Sequence, residues 1–248
     1  MIHAVLNYLS PTSINTYLFC PHKFYMRYVK KLPTKPSIFL VQGSLIHKTI
    51  HKFQQKLIRF EQVLPEHVDC DLWAIFDELW QNASPQLQKL EISQSEKDAC
   101  YDRCKQMLSN FANWFNENNQ PVADLTEAKI WSKKLGLMGI VDTVYSTSHN
   151  PVVIDYKTSV RPEITEDIRR QAILYALLFE DKFQVLPRKI LIHFLQSPGY
   201  PKAIKIDHAD LDHGRQLIQA VRNSITSHDK ADYPCTCGGY CQRDFIGG

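Results

Sequence analysis

Asp142, followed after twelve intervening residues by Asp155-Tyr156-Lys157, places two carboxylates and an ammonium group inside two apolar, β-branched runs, Leu137–Tyr145 and Val152–Thr158. Charges inside buried strands are costly unless they compensate one another or hold a cation. Two acids that bind a hard divalent ion, with a lysine near the attacked phosphate, suit hydrolysis of a phosphodiester by activated water. An isolated Asp–Lys pair commonly serves structure, but a cluster of two acids and a lysine is hard to explain as packing. A second constellation lies near the C-terminus. Cys235, Cys237 and Cys241 fall within seven residues, with two glycines that let the chain wrap, a metal-site signature rather than core filling.

Six short motifs follow one another along the chain: Leu9-Ser-Pro-Thr-Ser13, Cys20-Pro21, Gly43-x-x-x-His47, Gly139-Ile-Val-Asp142, Asp155-Tyr-Lys-Thr-Ser159 and Gln171-x-x-x-Tyr175. In that order they resemble the RecB-like exonuclease branch of the PD-(D/E)XK nuclease superfamily, with Asp155 at the position that is Asp or Glu. The resemblance implies that His47, Asp142, Asp155 and the backbone carbonyl of Tyr156 hold Mg²⁺ or Mn²⁺. It implies that Lys157 orients or deprotonates the attacking water and stabilises charge on the phosphate. Gln171 and Tyr175, four apart and so on one helix face, would flank this site and contact DNA or the lysine. By the same resemblance Cys20 joins the three C-terminal cysteines around a [4Fe-4S] cluster. The C-x-C-x3-C spacing departs from the C-x2-C-x5-C of that branch, which leaves zinc as the alternative.

Other residues are read against these. His51 lies one turn beyond His47 but lacks the glycine spacing. Gly43–Thr49 has no glycine before Lys48, which excludes a phosphate-binding loop for ATP. Glu127, on the strand before Asp142, is a lesser candidate for a supporting or second-metal role. Cys100 and Cys104 share a helix face with Leu108 and Phe111 and read as core. Cys70 carries no signal.

The elements that must position these residues are legible as patterns. Ser10-Pro11 starts a helix, and Cys20-Pro21 interrupts it. A loop at Pro33–Pro36 precedes a helix over 42–60, with a stripe of Leu45, Ile46, Ile50, Phe53 and Leu57. Residues 61–123 read as a helical insertion, with helices near 71–82 and 95–118 started by Ser93 or Ser95. Strands follow at 125–134, 137–145 and 152–158, the last two joined as a hairpin across the turn formers of 146–151. A helix over 165–181, strands at 189–196 and 202–207 and a helix over 209–227 complete the chain. This order gives an α/β class with a restriction-endonuclease-like mixed sheet flanked by helices. We expect one nuclease domain over 1–248, closed by a cysteine-rich staple from 234–241 to Cys20.

The net charge of +3 conceals an asymmetry: residues 1–60 carry nine Lys or Arg and no acid, whereas 61–127 carry thirteen acids and four bases. A basic face for a polyanion follows, and Lys23, Arg27, Lys30 and Lys31 alternate with Phe19, Phe24, Tyr25 and Tyr28, a mixture suited to single-stranded nucleic acid. Arg169 and Arg170, beside Gln171, are further phosphate candidates. No apolar run is long enough to span a bilayer, and the start makes a poor secretory signal. The expected location is the cytoplasm, where seven cysteines are ligands or core rather than disulfides. The expected function is a metal-dependent DNA exonuclease acting on single-stranded ends. A CRISPR-associated RecB-like exonuclease in spacer acquisition and a non-catalytic DNA-end binder are the alternatives. A helicase or a CRISPR integration partner would supply unwinding or context.

Overall fold

The computed structural model describes residues 6–60, 68–118, 120–146, 150–225 and 227–246. Helices α1 (Pro11–Phe19) and α2 (Pro21–Phe24) meet at Cys20, whose extended backbone ends one and starts the other. Ser10 caps α1 through a reciprocal pair of hydrogen bonds with Ser13, ahead of Pro11 in the first turn. A π-helical turn at Tyr25–Val29 follows. Then come α3 (Ile38–Phe60), α4 (Val68–Asn82), α5 (Ser84–Gln88) and α6 (Gln94–Glu117), the last capped by Ser93 with Glu96. The remaining elements are β1 (Leu125–Ser132), β2 (Leu137–Tyr145), β3 (Val152–Lys157), α7 (Glu166–Phe183), β4 (Lys189–Phe194), β5 (Lys202–Ile204) and α8 (His208–Ser224).

The strands form one sheet in the order β1-β2-β3-β4-β5. The β1–β2, β2–β3 and β4–β5 pairs are antiparallel, and β3–β4 is parallel. A parallel neighbour needs a crossover, which α7 supplies. Alternation along β3 divides the core. Val153 packs with Val141, Ile190 and Ile192 against Ile14 of α1, Leu174 and Leu178 of α7, and Leu211 and Ile218 of α8. Ile154 and Tyr156 pack on the opposite face against Ile46 and Phe53 of α3, Phe76 of α4, and Phe111 and Phe115 of α6. The Phe111 ring stands edge-on to Tyr156 at 5.6 Å. Burying one such side chain contributes about 1.5–3 kcal/mol, so α3 and α6 fix the strand that carries Asp155 and Lys157.

Several expected boundaries shift for local reasons. β1 stops at Ser132 because the chain turns through Gly136, whose φ of 60° suits glycine. β5 stops at Ile204, and Asp207 instead caps α8 through Asp210. α3 begins at Ile38 rather than 42, and α4 at Val68 rather than 71. The short α5, started by Pro85 within Ser84–Gln88, was not expected. The expected hairpin turn lies partly outside the described residues.

Candidate active site

The β2–β3 ladder runs from Tyr145↔Val152 to Thr143↔Ile154 and ends there. At the next position the Asp142 carboxylate takes over a ladder contact, Oδ2 accepting the Tyr156 N–H at 2.7 Å. Its other oxygen lies 3.2 Å from His47 Nδ1 on α3. Gly43, one turn before His47, faces Thr158 at the end of β3, where an added Cβ would stand 3.4 Å from the hydroxyl. Glu127 of β1 brings Oε1 to 3.6 Å from the same imidazole nitrogen.

A second group forms on the α7 side. Lys157 Nζ is 2.6 Å from Asp155 Oδ2 and donates to Gln171 Oε1 at 2.8 Å. The Gln171 amide donates to the Tyr175 hydroxyl at 2.8 Å and reaches Asp155 Oδ1 at 3.4 Å. Gly139 lets α7 come this close to β2. A Cβ there would stand 2.9 Å from Leu178 Cδ1 and 3.0 Å from Tyr175 Cε1. The sequence motifs thus have separate mechanical causes: two glycines admit two helices, and each helix brings its polar residue to one end of the β2–β3 pair.

Burial sets the electrostatics. Asp155 is 3% exposed, and its desolvation, reinforced by Asp142, pushes its pKa up to about 6 against the pull of Lys157 and His47. Burial works against charge on His47, but Asp142 and Glu127 outweigh it and raise the imidazole to about 10. Burial also lifts the Tyr156 and Tyr175 hydroxyls well above their ordinary range. Ligand atoms of His47, Glu127 and Asp142 lie within 4.8 Å of one another, a mixed nitrogen and oxygen set that fits a divalent cation such as Mn²⁺ or Mg²⁺. Asp155 stands outside this trio, its Oδ2 facing Lys157. His51 also stands apart, 3.1 Å from the Thr126 hydroxyl.

The site opens onto a cleft of about 640 Å³ between α1, α2 and α7, lined by Asn15, Phe19, Lys23, Arg27, Arg170 and Gln171 among others. Arg170 donates to Asn15 at 2.7 Å, and Lys23 pairs with Asp244 at 2.6 Å. Lys30 and Lys31 are exposed but do not line this cleft, and Arg169 is bound by both oxygens of Asp210 at 2.9 Å. Of the interleaved aromatics, Phe24 and Tyr25 are core, whereas Phe19 is 58% exposed at the cleft. Asn15 and Asp244 carried no signal in the sequence, because their role depends on chain crossings 155 residues or more apart.

Cys20, Cys235, Cys237 and Cys241 converge, with ligand sulfurs all within 4.8 Å. Cys235 Sγ lies 4.0 Å from Cys20, 3.7 Å from Cys237 and 3.7 Å from Cys241. Gly238 and Gly239, with φ of 61° and 84°, permit the tight wrap. A four-thiolate set of this kind can bind a metal. Cys100 and Cys104 are buried in the α3–α6 core, as their helical spacing implied.

The sequence model described as the PD-(D/E)XK nuclease superfamily matches residues 8–243. A crystal structure from Eubacterium rectale, titled "Putative exonuclease", is similar in fold with a TM-score of 0.56 at 11% identity, covering 98% of this chain and 90% of that one. No curated protein matches the chain. No helix among the described residues is long and apolar enough to cross a membrane.

Proposed function

The chain belongs to the PD-(D/E)XK nuclease superfamily, and on that premise we propose that it shortens single-stranded DNA from its ends as a divalent-metal-dependent exonuclease. The observation that carries this reading is the linkage of Lys157 to Asp155 and Gln171 beside the His47–Asp142 pair. A divalent ion held by His47, Asp142, Asp155 and the Tyr156 carbonyl would polarise the phosphate and acidify the attacking water. Lys157, fixed on two sides, places its ammonium where negative charge gathers on the phosphate and steadies the water that attacks it. Gln171 holds that ammonium in place, and Tyr175 holds Gln171, so both act on the chemistry through Lys157. Lys23, Arg27 and Arg170 of the cleft engage phosphates, and Phe19 offers a ring to an unpaired base.

For the cysteine site, the sulfur spacings favour one tetrahedral ion over a four-iron cluster. With metal–sulfur bonds of about 2.3 Å, tetrahedral thiolates stand about 3.8 Å apart, close to the 3.7–4.0 Å from Cys235 to the other three, with all four sulfurs within 4.8 Å of one another. A four-iron cluster places each thiolate on a separate iron and spreads the sulfurs around a larger core. Zinc is therefore the proposed staple, and reduced thiols in that role suit the cytoplasm. The whole chain then acts as one nuclease domain, its ends joined by the metal. Incubating the purified protein with end-labelled single- and double-stranded DNA and Mn²⁺ tests the activity. Progressive shortening of single strands supports the reading, and internal nicking of duplex would replace it with an endonuclease.

A further inference from the structure

Glu127 has a positive φ of 47°, alone among the described non-glycine residues lying inside a strand. A side chain in this region is strained, at a cost of order 1–3 kcal/mol that persists only where the surroundings enforce it. The register places it opposite Asp142, since Thr126 pairs with Thr143 and Ala128 with Val141. Its effect on direction is visible in the neighbours. Thr126 reaches His51 on α3, so a regular strand would send residue 127 to the other face, toward α7. Glu127 instead also reaches α3, at His47, while Ala128 and Ile130 return to the core on the α7 side.

The 3.6 Å contact with His47 is an ion pair, too long for a hydrogen bond. The distances do match another purpose. Adjacent ligands about 2.1 Å from one ion stand about 3 Å apart, and His47 Nδ1 lies 3.2 Å from Asp142 Oδ1 and 3.6 Å from Glu127 Oε1. We propose that Glu127 is a direct side-chain ligand of the divalent ion, turned toward it by a strained backbone. This rests on the nuclease reading of the same site. It adds a carboxylate from β1 that the motif spacing does not contain, while Asp155 is shared between metal and Lys157.

The test is Mn²⁺ binding to the full-length protein, followed by the loss of the free-ion resonance signal, with melting of the metal-free protein beside it. Thiolates are poor ligands for Mn²⁺, so the cysteine site does not interfere. Glu127→Gln and Glu127→Gly are expected to weaken binding about tenfold or more. Glu127→Gly should do so while leaving the metal-free melting temperature unchanged or higher, because glycine adopts this φ without strain. Asp142→Asn is expected to abolish binding. Wild-type affinity in both Glu127 variants overturns the proposal alone, as does a fall in metal-free melting that parallels the loss of affinity. Wild-type affinity in Asp142→Asn overturns the metal site itself, and the proposal with it.

Discussion

Replacing Cys20 by serine tests the staple in a way that can be quantified. Cys235, Cys237 and Cys241 are local and can share a metal even in the unfolded chain, whereas Cys20 stands 215 residues from Cys235. Closing a loop of that length in the unfolded state costs about 5 kcal/mol in the chain-entropy description. Folding has already closed it, since the two sulfurs are 4.0 Å apart. The fourth thiolate therefore binds the metal in the folded state only, and its binding energy becomes folding energy, up to about 5 kcal/mol. With a urea dependence of about 3 kcal/mol per molar, the metal-loaded Cys20→Ser protein should unfold at up to about 1.7 M less urea than wild type. Cys20 is fully buried, so serine brings its own packing and polarity penalty. Measuring both proteins again after metal removal isolates the ligand contribution. The difference between wild type and variant should shrink to that smaller penalty. An equal shift with and without metal would refute the account of Cys20 as a ligand.

Metal analysis of anaerobically purified protein should find one zinc and no colour, whereas brown protein absorbing near 400 nm would restore the four-iron alternative. Lys157→Ala should lower the cleavage rate by about a hundredfold or more while Mn²⁺ affinity stays within a few-fold of wild type, read by single-turnover kinetics and metal titration. Arg27→Ala and Arg170→Ala should each reduce the salt slope of single-strand binding by about 0.7, and Lys31→Ala, outside the cleft, should leave it unchanged, measured by fluorescence anisotropy. In metal-free protein the imidazole of His47 is raised from 6.5 to about 10. The stability it contributes is fully present below pH 6.5 and lost as pH climbs toward 10, a loss that His47→Gln should lack in urea titrations across this window.

Much of this was legible because it repeats at short range. The β-branched runs around Asp142 and Asp155, the cap at Ser10 and the apolar stripe of α3 are each specified by a few neighbouring residues, and the fold follows them. The site motifs were legible for a related reason: Gly43 and Gly139 mark where helices must come close, His47 follows Gly43 at helical spacing, and Tyr175 follows Gln171 at the same spacing. Glu127 stands in the sequence only as a lesser candidate, since nothing in Leu125-Thr-Glu-Ala128 announces a left-handed residue in mid-strand. That conformation arises from the sheet around it. In sequence Lys30 and Lys31 form one basic run with Lys23 and Arg27, but the π-helical turn at Tyr25–Val29 and the loop beyond carry them away from the cleft. Arg169 and Arg170 are adjacent in sequence yet differ by one helical step, which sends one to Asp210 and the other to Asn15.

The proposed function has the Asp155–Lys157 cluster cleave DNA with a divalent ion. The direct measurement is single-turnover degradation of end-labelled single-stranded DNA by wild type and by Asp155→Ala, with Mn²⁺ and with chelator, each protein checked for folding by circular dichroism. Wild type is expected to shorten the strand only when Mn²⁺ is present, and folded Asp155→Ala to leave it intact. Mn²⁺-dependent shortening by Asp155→Ala at the wild-type rate would contradict the account.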